Sequence, residues 1–205
     1  VVDVVGSEVR RDSTIKIDSA GSITQIGNST SVKSDAREEV IDLEGRFLFP
    51  GLISCHTHLS VVFPFSQTDP LENPAVTAFR AAQRAREALL CGITTLRSVH
   101  EQNQVDFALR DAARGGWFEG PRIFGAGRAL SRPDGHGQGS ACSYAEDYEG
   151  FYQAALDELS DGADQIKIVI TGGLARAGEK HESPEMSDGE IRGAVQAATE
   201  HDTYV

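Results

Sequence analysis

What this chain lacks narrows it quickly. Its three cysteines, Cys55, Cys91 and Cys142, are odd in number and widely spaced, and no CxxC pair occurs. Neither a zinc ribbon nor a disulfide framework follows from that spacing, so a reducing, cytoplasmic setting is the default. No apolar run is long enough to cross a bilayer, and no signal peptide is visible. Basic residues are scarce: 19 Lys and Arg stand against 31 Asp and Glu, a formal net charge of -12. That balance gives no electrostatic reason to bind nucleic acid or an anionic membrane, and solubility is its simplest meaning. The first strand–helix joint has no GxGxxG, and the glycine-rich "GAGRALSRPDGHGQG" has no Walker pattern. Internal repeats and low-complexity segments are also missing.

What remains is a chain of 205 residues, 40% hydrophobic, enough for one large domain or two small ones around a substantial core. It opens on "VVDVVGSEV" and closes on "HDTYV", both of which read as mid-strand, so a longer protein is expected at each end. Residues 1–45 read as a meander of short strands: "VVDVV", then "STIKID", a turn at "AGS" and a return strand "ITQIG". From Phe47 strands and helices alternate. "FLFPGLISCHTH" reads as a fully buried strand. Residues 73–90 form a helix with Pro74 in its first turn and Cys91-Gly92 at its end. "GITTLRSV" is the second strand, followed by a helix over 105–114 closed by Gly115-Gly116. "PRIFGAGRAL" is the third strand and residues 145–162 the next helix. "DQIKIVIT" is the fourth strand. A helix over 187–201 begins with a capping box, Ser187 and Glu190, and "DTYV" starts a fifth strand. This alternation predicts a parallel sheet with outer helices, either a doubly wound open sheet or half of a (β/α)8 barrel.

In such folds chemistry gathers at the C-terminal strand ends. The first end offers His56 and His58, the second Arg97, Ser98 and His100, the third leads to His136, and the fourth carries Lys167. Side chains at i and i+2 on a strand share a face, so both imidazoles can meet at one point, as a divalent ion such as zinc requires. The bland alternative is a pair of loop histidines. Lys167 sits among Ile166, Ile168, Val169 and Ile170, where an ammonium is costly. Its amine either snorkels to the strand end or is functional, as a Schiff base, a base or a carbamate.

Two segments together resemble a known family. "LFPGLISCHTHL" is similar to the first-strand motif of the amidohydrolase superfamily, and "DQIKIVITGG" to its fourth-strand segment. "RALSRPDGHG" with "IKIVITGG" resembles the imidazolonepropionase-like and prolidase-like members, which include Xaa-Pro and Xaa-Arg/Lys dipeptidases and ochratoxinase. The resemblance implies part of a β-sandwich over residues 1–46 and the first half of a TIM barrel over 47–205. It implies a metal-dependent hydrolase of amide or peptide bonds, acting on a dipeptide or N-acyl amino acid, and a homo-oligomer. His56 and His58 match the ligands of the more buried of two divalent ions, expected to be zinc. Lys167 matches the carboxylated lysine between them, with a hydroxide shared by the ions as nucleophile. His136 matches a substrate-binding histidine. The general-base aspartate and the remaining histidine ligands are expected beyond Val205. His100, His181 and His201 are expected at the surface. Two departures concern the surroundings of the metals: Ser54 replaces the usual aspartate before the HxH, and Ser98 stands where an acidic residue is frequent. Rival readings are a cyclic-amide hydrolase or a deaminase of the same superfamily, and a member that has lost catalysis.

Overall fold

The computed structural model describes residues 1–174 and 179–205, which divide into two compact units, Val1–Gly51 and Leu52–Val205. In the first unit, β1 (Val2–Asp3) pairs antiparallel with β2 (Glu8–Val9), and β3 (Ser13–Ile17) pairs antiparallel with β4 (Ile23–Asn28). Local carboxylates make these turns. Asp3 Oδ1 accepts the N–H groups of Val5 and Gly6, and Asp18 Oδ1 accepts those of Ala20 and Ser22, a role short acidic side chains perform well. The expected hairpins are present, but the first strand is cut to two residues.

The second unit is a mixed α/β arrangement. The strands β5 (Leu52–Thr57), β6 (Ile93–Ser98) and β7 (Arg122–Phe124) lie side by side in that order, all parallel. Helix α1 (Pro74–Leu90) connects the first two strands and α2 (Val105–Arg114) the next two. Parallel neighbours need such crossovers. Pro74 opens α1, whose N-cap Asn73 accepts the N–H of Ala75, and Gly92 turns the chain out at positive φ. β8 (Leu130–Ser131) and β9 (Ser143–Tyr144) form a separate parallel pair, and α3 (Asp147–Asp161) and α4 (Asp188–Glu200) follow. The capping box of α4 is present, with Ser187 Oγ accepting the Glu190 N–H and the Glu190 carboxylate accepting the Ser187 N–H.

Two apolar cores lie under this unit. One gathers Leu59, Ala81, Ala85, Leu96, Val105, Leu109 and Ile123 between α1, α2 and the three-stranded sheet. The other gathers Leu130, Phe151, Ala155, Ile166 and Ala194 around α3 and α4. The two helices approach closely because Gly193 faces the Tyr148 carbonyl, where a Cβ would sit 2.2 Å from oxygen.

Several expectations need correction. The first strand covers only Leu52–Thr57, and it is not buried: Leu52 and Ile53 are exposed, and among the described residues β5 pairs only with β6. The third strand breaks between Phe124 and Leu130. Among the described residues, the fourth "strand" makes only isolated bridges, Leu130 with Ile168 and Thr171 with Pro184. The fifth forms no ladder among the described residues, although the Ile166 N–H reaches the Tyr204 carbonyl at 3.0 Å. Apolar composition marked these segments as extended, but a ladder also needs a neighbour in register.

Candidate metal centre

β5 ends in His56-Thr57-His58. Its i and i+2 imidazoles converge, with the two Nε2 atoms 3.2 Å apart and the rings edge-to-face. His58 Nδ1 lies 3.2 Å from the His100 carbonyl. A carbonyl only accepts, so Nδ1 carries the proton and Nε2 keeps its lone pair toward His56. Burial lowers the pKa of both histidines, and the positive charge of Lys167 adds to the effect. Both are therefore neutral at neutral pH, the form that ligates.

This donor set fits a metal ion. Two imidazole nitrogens bound at ~2.0–2.1 Å to one tetrahedral ion stand ~3.3 Å apart, close to the separation found here. A carbonyl behind one imidazole is the usual orienting partner of a ligating histidine. The Lys167 amine is half-buried, and burial first, then the charge of Arg97, lowers its pKa. That favours the neutral amine, which alone can add carbon dioxide. Among the described residues, no group of three or more His, Cys, Asp and Glu gathers as a metal site. The convergence is thus of two histidines, with the lysine as an electrostatic neighbour.

His136 stands in the loop after β8, half-buried, and its charge acts on His58. Its Nδ1 sits 3.0 and 3.1 Å from the two Glu179 oxygens, and its backbone N–H donates to Glu185 Oε2 at 2.6 Å. Its ring packs on Phe65 and against Gly173, where a Cβ would fall 2.2 Å from Cε1. Only glycine leaves room for that ring.

His100 corrects the sequence reading most. It is buried, not at the surface; His181 and His201 are exposed as expected. His100 Nδ1 accepts the Ala129 N–H at 3.0 Å and Nε2 donates to the Ser140 carbonyl at 2.6 Å. Burial holds its pKa down at about 4. Arg80, Arg84 and Glu101 were missed altogether. Glu101 is fully buried, and Ser98 Oγ donates to it at 2.5 Å, so the acidic group missing at Ser98 is supplied three residues later. Arg84 donates to the Leu59 and Val61 carbonyls, and Arg80 to that of Ser60. The signal available was small: arginines one turn apart on α1, and a lone glutamate next to a histidine at a strand end.

Residues 47–205 match the amidohydrolase family. An imidazolonepropionase of Methylobacterium nodulans is 35% identical over 91 residues, 44% of this chain and 22% of that protein. An ochratoxinase of Aspergillus niger is 25% identical over 193 residues, 77% of this chain and 38% of that protein. The crystal structure of a Xaa-Pro dipeptidase with methionine bound in its active site superposes with a TM-score of 0.78 at 29% identity, over 89% of this chain and 48% of that one. The chain thus spans about half or less of the length of each of these relatives.

Proposed function

The chain belongs to the amidohydrolase family, and we propose that it forms the first half of the catalytic barrel, with part of a β-sandwich before it, of a binuclear metal-dependent hydrolase of amide or peptide bonds. The substrate class is a dipeptide or N-acyl amino acid, whose product bears a free carboxylate. The observation that carries this reading is the convergence of His56 and His58 Nε2 at 3.2 Å, with the His58 proton held on the far nitrogen. Family members generally depend on metal, and likeness to a Xaa-Pro dipeptidase supports hydrolysis of a peptide bond.

In this reading His56 and His58 would hold one divalent ion, expected to be zinc, and a carboxylated Lys167 would supply a further anionic ligand for a binuclear centre. When bound, the ions supply Lewis-acid polarisation of the scissile carbonyl and acidification of the attacking water. The chain's own residues prepare the site. The His100 carbonyl fixes the His58 tautomer. Burial favours the neutral Lys167 amine, the form a carbamate would need. His136, with Nδ1 turned to Glu179, offers Nε2 to a carbonyl or carboxylate oxygen of the substrate.

The test is a screen of the intact protein, loaded with zinc, against Xaa-Pro and Xaa-Arg dipeptides and N-acyl amino acids. Carbon-13 bicarbonate is used in parallel to detect a carbamate by NMR. Turnover in this panel, lost in His56→Ala, with a carbamate signal lost in Lys167→Ala, is the expected result. Turnover only of cyclic amides or of amino-substituted rings would move the protein to one of the rival reactions.

A further inference from the structure

We propose that Glu101 is a positioning residue for the His56–His58 pair, acting through the backbone that follows His58. The proposal rests on reading that pair as metal ligands. Residues 99–101 grip residues 57–60 in register. The Val99 N–H donates to the Thr57 carbonyl at 3.1 Å. The His100 carbonyl takes the His58 Nδ1 proton at 3.2 Å. The Glu101 carboxylate takes the next two backbone groups, the Leu59 N–H at 2.5 Å and the Ser60 N–H at 2.6 Å. Ser60 Oγ and Ser98 Oγ also donate to it, so it accepts four hydrogen bonds while fully buried.

A strand that had merely ended could leave these N–H groups to water or to a neighbouring strand. Here a carboxylate collects them 41 and 42 residues away in sequence. From the opposite side, the α1 guanidiniums of Arg80 and Arg84 take the carbonyls of Leu59, Ser60 and Val61. Negative charge therefore meets the N–H edge and positive charge the C=O edge of one short segment. Such charge-assisted bonds are the strong ones. The grip is itself anchored, because the Glu101 N–H donates to the Gly127 carbonyl at 2.8 Å and the His100 imidazole bridges Ala129 and Ser140. A metal pair needs its ligands fixed before the ion arrives, since loose ligands lose affinity to ordering. Glu101 and the His100 carbonyl meet that need for His58.

The test compares the intact protein with Glu101→Gln and with Ser98→Ala. Glutamine keeps the shape but turns an N–H₂ toward N–H donors. Ser98→Ala removes one donor and leaves the rest, so it decides the matter if Glu101→Gln does not fold. Two readouts are taken: cobalt(II) affinity from its visible absorption, and the His58 tautomer in metal-free protein from imidazole nitrogen-15 NMR. Expected are an affinity loss of about 10- to 100-fold for Glu101→Gln, a smaller loss for Ser98→Ala, and a His58 tautomer no longer fixed, with His136 unchanged. A folded Glu101→Gln, or Ser98→Ala where only it folds, with wild-type affinity and a wild-type His58 tautomer overturns the proposal. A changed tautomer in a protein whose parent takes up no cobalt supports the positioning role and overturns the metal reading.

Discussion

Residues 59–61, which follow His58, and residues 165–169, which carry Lys167, are both short segments outside regular strands, yet they are held in different ways. In the first, the backbone groups are taken by buried or half-buried charged side chains from two directions, Glu101 on one edge and Arg80 and Arg84 on the other. In the second, the backbone is held by backbone. The Leu130 N–H meets the Lys167 carbonyl at 2.8 Å, the Val169 N–H meets the Leu130 carbonyl at 3.0 Å, and Ile166 reaches Tyr204. Each segment also stands on its own core, Leu59 and Leu96 for the histidines, Ile166 and Phe151 for the lysine. The difference teaches that the histidine half is fixed by side-chain chemistry within one βαβ stretch. The lysine half depends on packing of α3 and α4 against an extended segment held by isolated bridges.

That contrast is open to attack at several points. The strongest blow is to the cores. Phe151→Ala should cost about 3–5 kcal/mol and Leu96→Ala about 2–5 kcal/mol in denaturant unfolding, since both side chains are buried and leave cavities. If the two halves are held separately, carbamate formation at Lys167 should suffer more in Phe151→Ala, and the His58 tautomer more in Leu96→Ala.

Next in size is a pH effect near the histidine side. Burial, with the charge of Glu101 behind it, pushes the Asp106 carboxyl up to about 7 from 3.8. The folded protein then binds a proton that the unfolded chain has released, so this group's contribution is complete below pH 3.8 and is lost as pH rises through about 7. Asp106→Asn cannot ionise. It should be more stable than the parent at pH 8, by on the order of 2–4 kcal/mol, and the two should converge near pH 4. A difference independent of pH across that window would refute the assignment.

Smaller effects probe the remaining parts. Gly173→Ala forces the His136 ring to move; kcat/KM for the substrate found should fall about 10-fold or more, while bound metal stays at the parent level. Loss of metal in this variant would tie His136 to the metals instead. Ser187→Ala removes the cap of α4 on the lysine side and should lower stability by about 1 kcal/mol, with the His58 tautomer untouched.

Much of this was legible in the sequence. Helix limits were marked by Asn73-Pro74, Gly92, Gly162 and the Ser187–Glu190 box, because caps are local chemistry written in adjacent residues. The HxH was legible because strand periodicity alone puts both rings on one face. The grip on residues 57–60 was barely so. A lone glutamate beside a histidine at a strand end is the small signal in "HEQNQ", and it does not tell that Glu101 and His100 turn inward to partners some forty residues away. The broken third strand and the bridge-only fourth share that cause, since extended backbone becomes a strand only beside a partner in register.

The deciding measurement is the metal content of the intact protein after dialysis against zinc, in the parent, His58→Ala and Lys167→Ala. A site built on His56, His58 and a carboxylated Lys167 retains about two equivalents in the parent and loses metal in both variants. Full retention of zinc in folded His58→Ala and Lys167→Ala would contradict it.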